Sequence, residues 1–313
     1  MKNKSDLKVR SLTAIAVLAV VIPTLVLAGL KGFGFHSVGY DYFFVSLMIL
    51  LFGYGVYEIT SFVSNDKETF IPLFGSALLI FGSIFGYVMI TMMMNGFLTN
   101  GRAIDGLIFN RQELITIIVA LLTGTLAFFA SNAIIPSNSN EATTTFFVVS
   151  MLGLFLSTLT IVLFKMSIVW LLLLILVVIF TDTFAYLGGK KYGKTKAFPE
   201  ISPNKTIEGL VTGMVAGISF GIIWFYSVIN TTNPFDIVSV VGQLVTISII
   251  ITVAFIAPLG DLMFSKIKRS YDKKDFGSIL PGHGGLLDRI DSHMVAVTLG
   301  SVLLITIQLI NYA

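Results

Sequence analysis

The sequence has 313 residues, of which 55% are hydrophobic and only 12% are charged, and its mean hydropathy is +0.92. Soluble domains carry about 25% charged residues, so this composition indicates an integral membrane protein. Lys and Arg outnumber Asp and Glu by only 20 to 17, which predicts no nucleic-acid partner, and the absence of cysteine excludes disulfides, iron–sulfur clusters and thiolate catalysis.

Nine apolar segments are long enough to cross a bilayer, which takes about 20 predominantly apolar residues. The first follows four basic residues, but its apolar stretch is longer than that of a signal peptide, so we expect it to be retained. The sequence thus predicts an all-α integral membrane protein with about nine transmembrane helices in one polytopic domain. Helices one to five fall in residues 1–165 and helices six to nine in 166–313. The segments lie at residues 12–30, 42–62, 70–94, 114–135, 146–164, 168–187, 207–229, 240–259 and 294–310.

The basic residues predict the orientation of these helices, because Lys and Arg favour the cytoplasmic side. With the N-terminus inside, sixteen of the twenty Lys and Arg fall in cytoplasmic segments. We therefore expect a multi-pass protein of the cytoplasmic membrane with its C-terminus outside. Two long polar segments, 188–206 and 260–293, then face the cytoplasm.

The second long polar segment carries acids and bases at helical spacing. We expect the eighth helix to continue into the cytoplasm through residues 261–269, which places Asp261, Ser265 and Lys268 on one face. Asp288 and Asp291 are again three residues apart. Neighbouring carboxylates repel each other unless they are neutralised, and Mg²⁺ is the simplest cation for such a pair. The pattern suits a phosphate-bearing substrate with a metal, and a basic loop with solvated counterions explains it equally well.

A glycine-rich turn lies within the same segment. Gly284 and Gly285 allow a backbone to approach a phosphate closely. His283 fits either phosphate binding or a hydrogen bond within the loop, and the sequence leaves both open. With only three histidines in the chain, a multi-histidine zinc site is not expected.

The first long polar segment matches the P-loop pattern G-x-x-x-x-G-K-[ST] at residues 188–195. A P-loop requires a buried strand before it and a helix directly after it, whose amides hold the phosphates. Here a membrane helix precedes the match and Lys196-Ala-Phe-Pro199 follows it. We therefore expect no P-loop fold, only a looser phosphate-binding role that includes Lys194.

Polar residues also occur within or next to the predicted helices. Asp182 lies in the last turns of helix six, where a carboxylate is costly unless it has a partner, so we expect it to be functional. Glu58 fits a helix-pairing role as well as a catalytic one. Thr206 is predicted to cap helix seven, with Glu208 in its first turn. Ser202 fits a turn residue before proline as well as a functional hydroxyl.

The run from Ser265 to Asp291 resembles the signature of the phosphatidate cytidylyltransferases, also called CDP-diacylglycerol synthases. The block from Asp182 to Gly209 is similar to a second, looser region of that family. It departs from the pattern of many bacterial members at Asn204, where they carry a basic residue, and at Ile207, where they carry tryptophan. The residues that carry the first resemblance are Ser265, Lys268, Arg269, Lys274, Asp275, Gly277, Leu280, Pro281, His283, Gly284, Gly285, Asp288, Arg289 and Asp291.

The resemblance implies a nucleotidyltransferase of phospholipid biosynthesis that converts CTP and phosphatidate to CDP-diacylglycerol and pyrophosphate. It implies a requirement for Mg²⁺, with K⁺ as a second cation, and a multi-helix fold in the lipid bilayer that is commonly dimeric. Asp261, Asp288 and Asp291 would be the metal ligands. The other catalytic residues would be Ser265, Lys268 and Arg269. Substrate-binding residues would be Asp182, Lys194, Ser202, Lys205, Lys274, Asp275, His283, Gly284, Gly285 and Arg289.

Two alternative functions share parts of this pattern. A CTP-dependent kinase of a lipid alcohol such as polyprenol would release CDP instead of pyrophosphate, and the complete run from 265 to 291 argues against it. An ion-coupled transporter would explain Asp182 and Glu58 within helices. Transporters usually carry such groups near the bilayer midplane and often within internal repeats, whereas these acids lie near helix ends and no repeat is evident.

Overall fold

The computed structural model describes residues 38–64, 74, 75, 77, 139–229, 240–279 and 284–312. In these residues the chain forms six long helices and a two-stranded hairpin. A π-helical turn follows the second helix at Val162–Met166 and another follows the fourth at Phe225–Ile229. The elements are α1 (Val38–Val63), α2 (Ser139–Ile161), α3 (Ile168–Tyr192), β1 (Lys196–Phe198), β2 (Ser202–Thr206), α4 (Ile207–Trp224), α5 (Val240–Ser270) and α6 (Leu287–Tyr312).

Six of the nine predicted membrane segments fall on described residues, and each corresponds to a helix that is long and apolar enough to cross a membrane. The segments 12–30 and 114–135, and most of 70–94, lie outside the described residues. The helices extend beyond the apolar segments at their polar ends: α3 continues to Tyr192, α5 continues to Ser270 and α6 begins at Leu287. The apolar segments show only which part of each helix is suited to lipid. The helical backbone continues past them into polar residues. The predicted continuation of the eighth helix through Arg269 is thereby confirmed.

The hairpin is a small departure from the predicted all-α fold. β1 and β2 are antiparallel, with Lys196 opposite Thr206 and Phe198 opposite Ser202. Pro199 directly follows β1, in keeping with the inability of proline to donate a ladder hydrogen bond. Thr206 ends β2 and caps α4, because its side-chain oxygen accepts the Gly209 N–H at 3.2 Å. The predicted N-cap is confirmed.

The described residues form two compact units. The first contains the described residues up to Phe164 together with Asp275–Ile290, and the second contains Lys165–Lys274 and the chain from Asp291 onward. In the first unit α1 packs against α2, where a Cβ at Gly55 would overlap the Leu152 side chain. This close approach buries the facing apolar side chains of both helices, including Phe52, Val56, Val148 and Leu152.

In the second unit α3 and α4 pack backbone against backbone. A Cβ on Gly209 would lie 2.7 Å from the Ala185 carbonyl oxygen, and one on Gly213 would lie 2.7 Å from the Ala185 Cβ. The rings of Phe180 and Phe220 stack at 3.9 Å between centroids. Small residues four apart lie on one helix face and allow this approach. The buried stripe on α4 consists of Gly209, Gly213, Gly217 and Gly221.

Gly213→Ala should destabilise the protein, because its new methyl group would meet the Ala185 backbone nitrogen at 2.9 Å and the Thr181 carbonyl oxygen. Overpacking of this kind costs about 1 to 3 kcal/mol, so the unfolding temperature of the detergent-purified protein should fall. Gly53→Ala in α1 is the control, since nothing lies within 4 Å of its new Cβ. An equal fall in both variants would contradict the importance of the α4 stripe.

Candidate active site

Three helices of the second unit each supply one carboxylate to a polar group of residues. Asp182 comes from α3, Asp261 from α5 and Asp291 from α6. Asp261 is close enough to interact electrostatically with both of the others. We call these three residues, together with Lys205 and Lys268, the carboxylate cluster.

Each lysine of the carboxylate cluster pairs with one acid. Lys205 Nζ lies 2.7 Å from Asp261 Oδ2 and also donates to the Pro258 carbonyl oxygen at 3.1 Å. Lys268 Nζ lies 3.4 Å from Asp291 Oδ2, and these two side chains are only 9% and 11% exposed. Buried charges are costly without partners, so breaking the Lys268–Asp291 pair would be unfavourable. The two pairs connect α5 to the hairpin and to α6.

Two serines orient the acids further. Ser265 Oγ donates to Asp261 Oδ1 at 3.3 Å, one turn earlier on α5. Ser292 Oγ donates to Asp182 Oδ2 at 2.8 Å, while the Ser292 N–H donates to Asp291 Oδ1 at 2.8 Å. Ser292 therefore joins two carboxylates of the cluster. The sequence analysis did not identify Ser292. Its position directly after Asp291, the last residue of the signature, was the one sequence feature that pointed to it.

The carboxylate cluster is suited to binding a cation together with phosphate. Its three carboxylates exceed its two ammonium groups, and carboxylate oxygens are the ligands that Mg²⁺ prefers. Within the described residues, no three Asp, Glu or His side chains converge closely enough to hold a metal by themselves. Mg²⁺ commonly binds through one or two carboxylates and completes its coordination with substrate phosphates and water. A Mg²⁺ site of this kind can therefore have fewer than three protein ligands.

In the first unit, two further acids bind the backbone around the start of α6. Asp288 Oδ2 accepts the Phe276 N–H at 2.7 Å and the Gly285 N–H at 2.9 Å. The second acid is Glu58 of α1, whose carboxylate accepts the N–H groups of Leu286, just before α6, and of Leu287, its first residue. Gly284 adopts a φ of +78°, which favours glycine. We call residues 275–279 and 284–286, the described part of this region, the signature loop.

The segment that matched the P-loop pattern has a different structure. α3 continues through residues 188–192, and the N–H groups of Lys194 and Thr195 donate to the Glu208 carboxylate at 3.1 and 3.2 Å. In a P-loop these amides would face a phosphate. The expectation that no P-loop fold forms is confirmed, and Glu208 has a second role beyond its predicted place in the first turn of α4.

The remaining candidate residues have more exposed positions. Arg269 Nη1 donates to the Lys273 carbonyl oxygen at 3.2 Å and so closes the turn after α5. Ser202 is half-buried at the start of β2. His283 lies outside the described residues. The exposed candidates are Lys194, Arg269, Lys274, Asp275 and Arg289.

Comparison with known proteins assigns the chain to a family. The sequence model described as "Cytidylyltransferase family" matches residues 8–307. The chain belongs to the cytidylyltransferase family. The resemblance found in the signature is thereby confirmed at the level of the family, and the match includes both groups of acids described above.

Individual relatives of this cytidylyltransferase-family chain carry a more specific name. A phosphatidate cytidylyltransferase of Staphylococcus haemolyticus is 43% identical over 130 residues, which are 42% of this chain and 46% of that protein. One of Bacillus subtilis is 46% identical over 114 residues, which are 36% of this chain and 39% of that protein. One of Staphylococcus saprophyticus is 42% identical over 138 residues, or 44% and 50% of the two chains. The chain therefore matches half of the length of these relatives or less.

Lys268→Met should destabilise this cytidylyltransferase-family protein, because it leaves Asp291 buried without its cation. Removing one partner of a buried ion pair costs about 3 to 5 kcal/mol, which thermal unfolding in detergent would detect. Adding Asp291→Asn removes the unpaired charge and should restore most of the stability. Lys266→Met is the control, because Lys266 is exposed on the same helix and surface changes usually stay within about 0.5 kcal/mol. Equal effects of the two lysine variants would contradict the importance of the pair.

Proposed function

We propose that this protein is a phosphatidate cytidylyltransferase, which converts CTP and phosphatidate to CDP-diacylglycerol and pyrophosphate. The observation that carries the proposal is the carboxylate cluster, in which acids from three helices lie with two lysines. Membership of the cytidylyltransferase family supports it, as do the names of the relatives. A lipid-alcohol kinase would transfer the γ-phosphoryl group instead, and no observation favours it.

The reaction brings two anions together. An oxygen of the phosphatidate phosphate attacks the α-phosphorus of CTP and forms a new P–O bond. The bond from the α-phosphorus to the oxygen that bridges to the β-phosphorus breaks, and its electron pair leaves with pyrophosphate. Because phosphatidate is already anionic near neutral pH, no strong general base is needed. Such transfers depend on positioning and on neutralising charge.

The lysines of the carboxylate cluster can neutralise the reacting phosphates. We assign Lys205 and Lys268 to the phosphates of the substrates and of the leaving pyrophosphate, together with Arg269. Lys205 is 20% exposed and is paired with an acid that is 33% exposed, so this pair is more accessible than Lys268 and Asp291. Ser265 and Ser202 would donate hydrogen bonds, as the resemblance implies.

Mg²⁺ fits the donor set of the carboxylate cluster. Asp261 and Asp291 would hold it. The resemblance implies Asp288 as a further ligand, and that role stays a prediction. When bound, the ion would neutralise part of the triphosphate charge and so favour departure of pyrophosphate. A second cation such as K⁺ stays a prediction from the resemblance.

We further propose that the chain crosses the cytoplasmic membrane about nine times, with its N-terminus and its active site on the cytoplasmic side. The six candidate spans among the described residues and the distribution of basic residues support this topology. The substrates are consistent with it, because CTP is water-soluble whereas phosphatidate resides in the bilayer. A homodimer is proposed from the resemblance alone.

The full-length protein, purified in detergent with phosphatidate in mixed micelles, should convert CTP to CDP-diacylglycerol in the presence of Mg²⁺. Mass spectrometry should identify this lipid, and a coupled assay should detect pyrophosphate in equal amount. Release of CDP with a phosphorylated lipid alcohol would instead identify a kinase. Absence of any CTP-dependent product across several divalent metals and lipids would overturn the proposed function.

Asp261→Asn should reduce turnover at saturating Mg²⁺ by at least about a hundredfold, the scale of losing one preorganised electrostatic contact. The physical reason is the loss of one anionic ligand and of the partner of Lys205. Asp272→Asn makes the same chemical change in the exposed turn after α5, where φ is +54°. Asparagine tolerates this conformation, so the control should retain wild-type turnover. If Asp261→Asn keeps more than about a tenth of the activity, Asp261 is not a metal ligand.

A further inference from the structure

Glu58 is a buried acid that the reaction described above does not use. It lies in the last two turns of α1, and only 2% of its surface is exposed. A carboxylate within an apolar helix is costly unless other groups stabilise it. The partners of Glu58 therefore indicate its role.

Both carboxylate oxygens of Glu58 bind the beginning of α6. Oε1 accepts the Leu286 N–H at 3.1 Å, and Oε2 accepts the Leu287 N–H at 2.7 Å. The first N–H groups of a helix have no partner within the helix, and this end of the helix attracts negative charge. Glu58 thus caps α6 from a position 229 residues before its first residue.

The signature loop leaves space for this carboxylate through two glycines. A Cβ built on Gly277 or on Gly285 would overlap Glu58 Oε1, and for both glycines the three nearest atoms belong to Glu58. Any larger residue at either position would displace the acid or the loop. A second contact lies one turn further along α1, where the ring of Phe62 packs edge-on against Phe276 at 4.8 Å between centroids.

Asp288 binds the same loop. Its Oδ2 accepts the N–H groups of Phe276 and Gly285, so the consecutive N–H groups of residues 285, 286 and 287 all donate to carboxylates of the protein. In this arrangement these amides organise the loop instead of binding a substrate phosphate. The orientation of Asp288 is therefore linked, through the loop, to the position of Glu58.

We propose that Glu58 is a positioning residue for cytidylyl transfer, which holds the signature loop and the first turn of α6 so that Asp288 keeps its working orientation. The part that concerns the reaction rests on the proposed function, whereas the contact itself does not. Both oxygens of Glu58 bind backbone amides, so we assign it a positioning role and not a catalytic one.

A pair of size-compensating substitutions tests this role. Glu58→Asp shortens the acid by one methylene, and Gly277→Ala adds one carbon that faces it. Each single variant should lower kcat by about tenfold to a hundredfold, since a displacement on the order of 1 Å can cost a hundredfold. KM for CTP should change by less than about threefold, because the substrate contacts remain.

The double variant distinguishes positioning from general damage. It should retain a kcat at least about tenfold above the product of the two single effects, because residues in contact show non-additive changes. The matched control combines Glu58→Asp with Gly53→Ala, whose new Cβ meets nothing within 4 Å, and its effects should multiply. Multiplicative effects in the 58–277 pair, or single variants with wild-type kcat, would overturn the proposal.

A measurement without turnover separates this proposal from the proposed function. The chain contains no cysteine, so a spin label on Ser278→Cys, which is exposed in the signature loop, reports the loop alone. Glu58→Gln should increase the mobility of this label, because the amide nitrogen that replaces one oxygen cannot accept a hydrogen bond. A label on Ser270→Cys at the end of α5 should not respond. Lack of wild-type activity overturns the proposed function, whereas an unchanged Ser278→Cys label overturns the positioning role of Glu58.

Discussion

Direct contact between two helix backbones is the constraint on which the second unit depends. The glycine stripe leaves α4 without side chains toward α3, so the Ala185 carbonyl oxygen of α3 lies against Gly209. Between membrane helices the hydrophobic effect supplies little attraction, and close packing takes its place. The contact fixes α3, which carries Asp182, against α4, whose N-terminus continues directly from the hairpin strand that carries Lys205. The positions of Asp182 and Lys205 thus depend on the glycines that let α3 and α4 approach each other.

Charge compensation sets the rest of the carboxylate cluster. The pairing of Lys268 with Asp291 makes the burial of two charges possible, and Lys205 pairs with Asp261 where both are partly exposed. Both pairs connect helix α5 to its neighbours. The same ammonium and carboxylate groups are the ones that a triphosphate and its metal require. The side chains that stabilise the fold are therefore also the ones proposed to bind substrate. A bound phosphate would compete with the carboxylates for the two lysines, and a bound cation would compete with the lysines for the carboxylates.

Some residues of the family signature hold the structure of the signature loop, in addition to those proposed to take part in the reaction. Gly277 and Gly285 provide the space for an acid that lies far outside the signature. Asp288 carries a charge suited to a metal and also holds two backbone amides. Glu58 belongs to the N-terminal helices, whose residues carried no part of the resemblance. Through this contact, α1 contributes to the order of the loop that begins α6.

The sequence by itself determined the features that depend on local composition and spacing. Long apolar segments predicted the membrane-length helices, because a bilayer admits only backbones that satisfy their own hydrogen bonds. The spacing of Asp261, Ser265 and Lys268 predicted the extension of α5, and Thr206 predicted the start of α4. The residues before and after positions 188–195 correctly predicted that no P-loop forms, because a P-loop requires a buried strand before it and a helix directly after it. The signature identified the family.

Only the tertiary structure decided which of these groups meet. Helical spacing fixes the face on which a side chain lies, but it does not fix the element that this face contacts. The pairing of Lys205 with Asp261, the hydrogen bond from Ser292 to Asp182 and the cap that Glu58 provides all join residues that are distant in the chain. The sequence left a helix-pairing role and a catalytic role open for Glu58, and the contacts of both its oxygens give it the structural one. Such contacts depend on how the helices pack, and packing is set by the whole set of side chains and glycines at each interface.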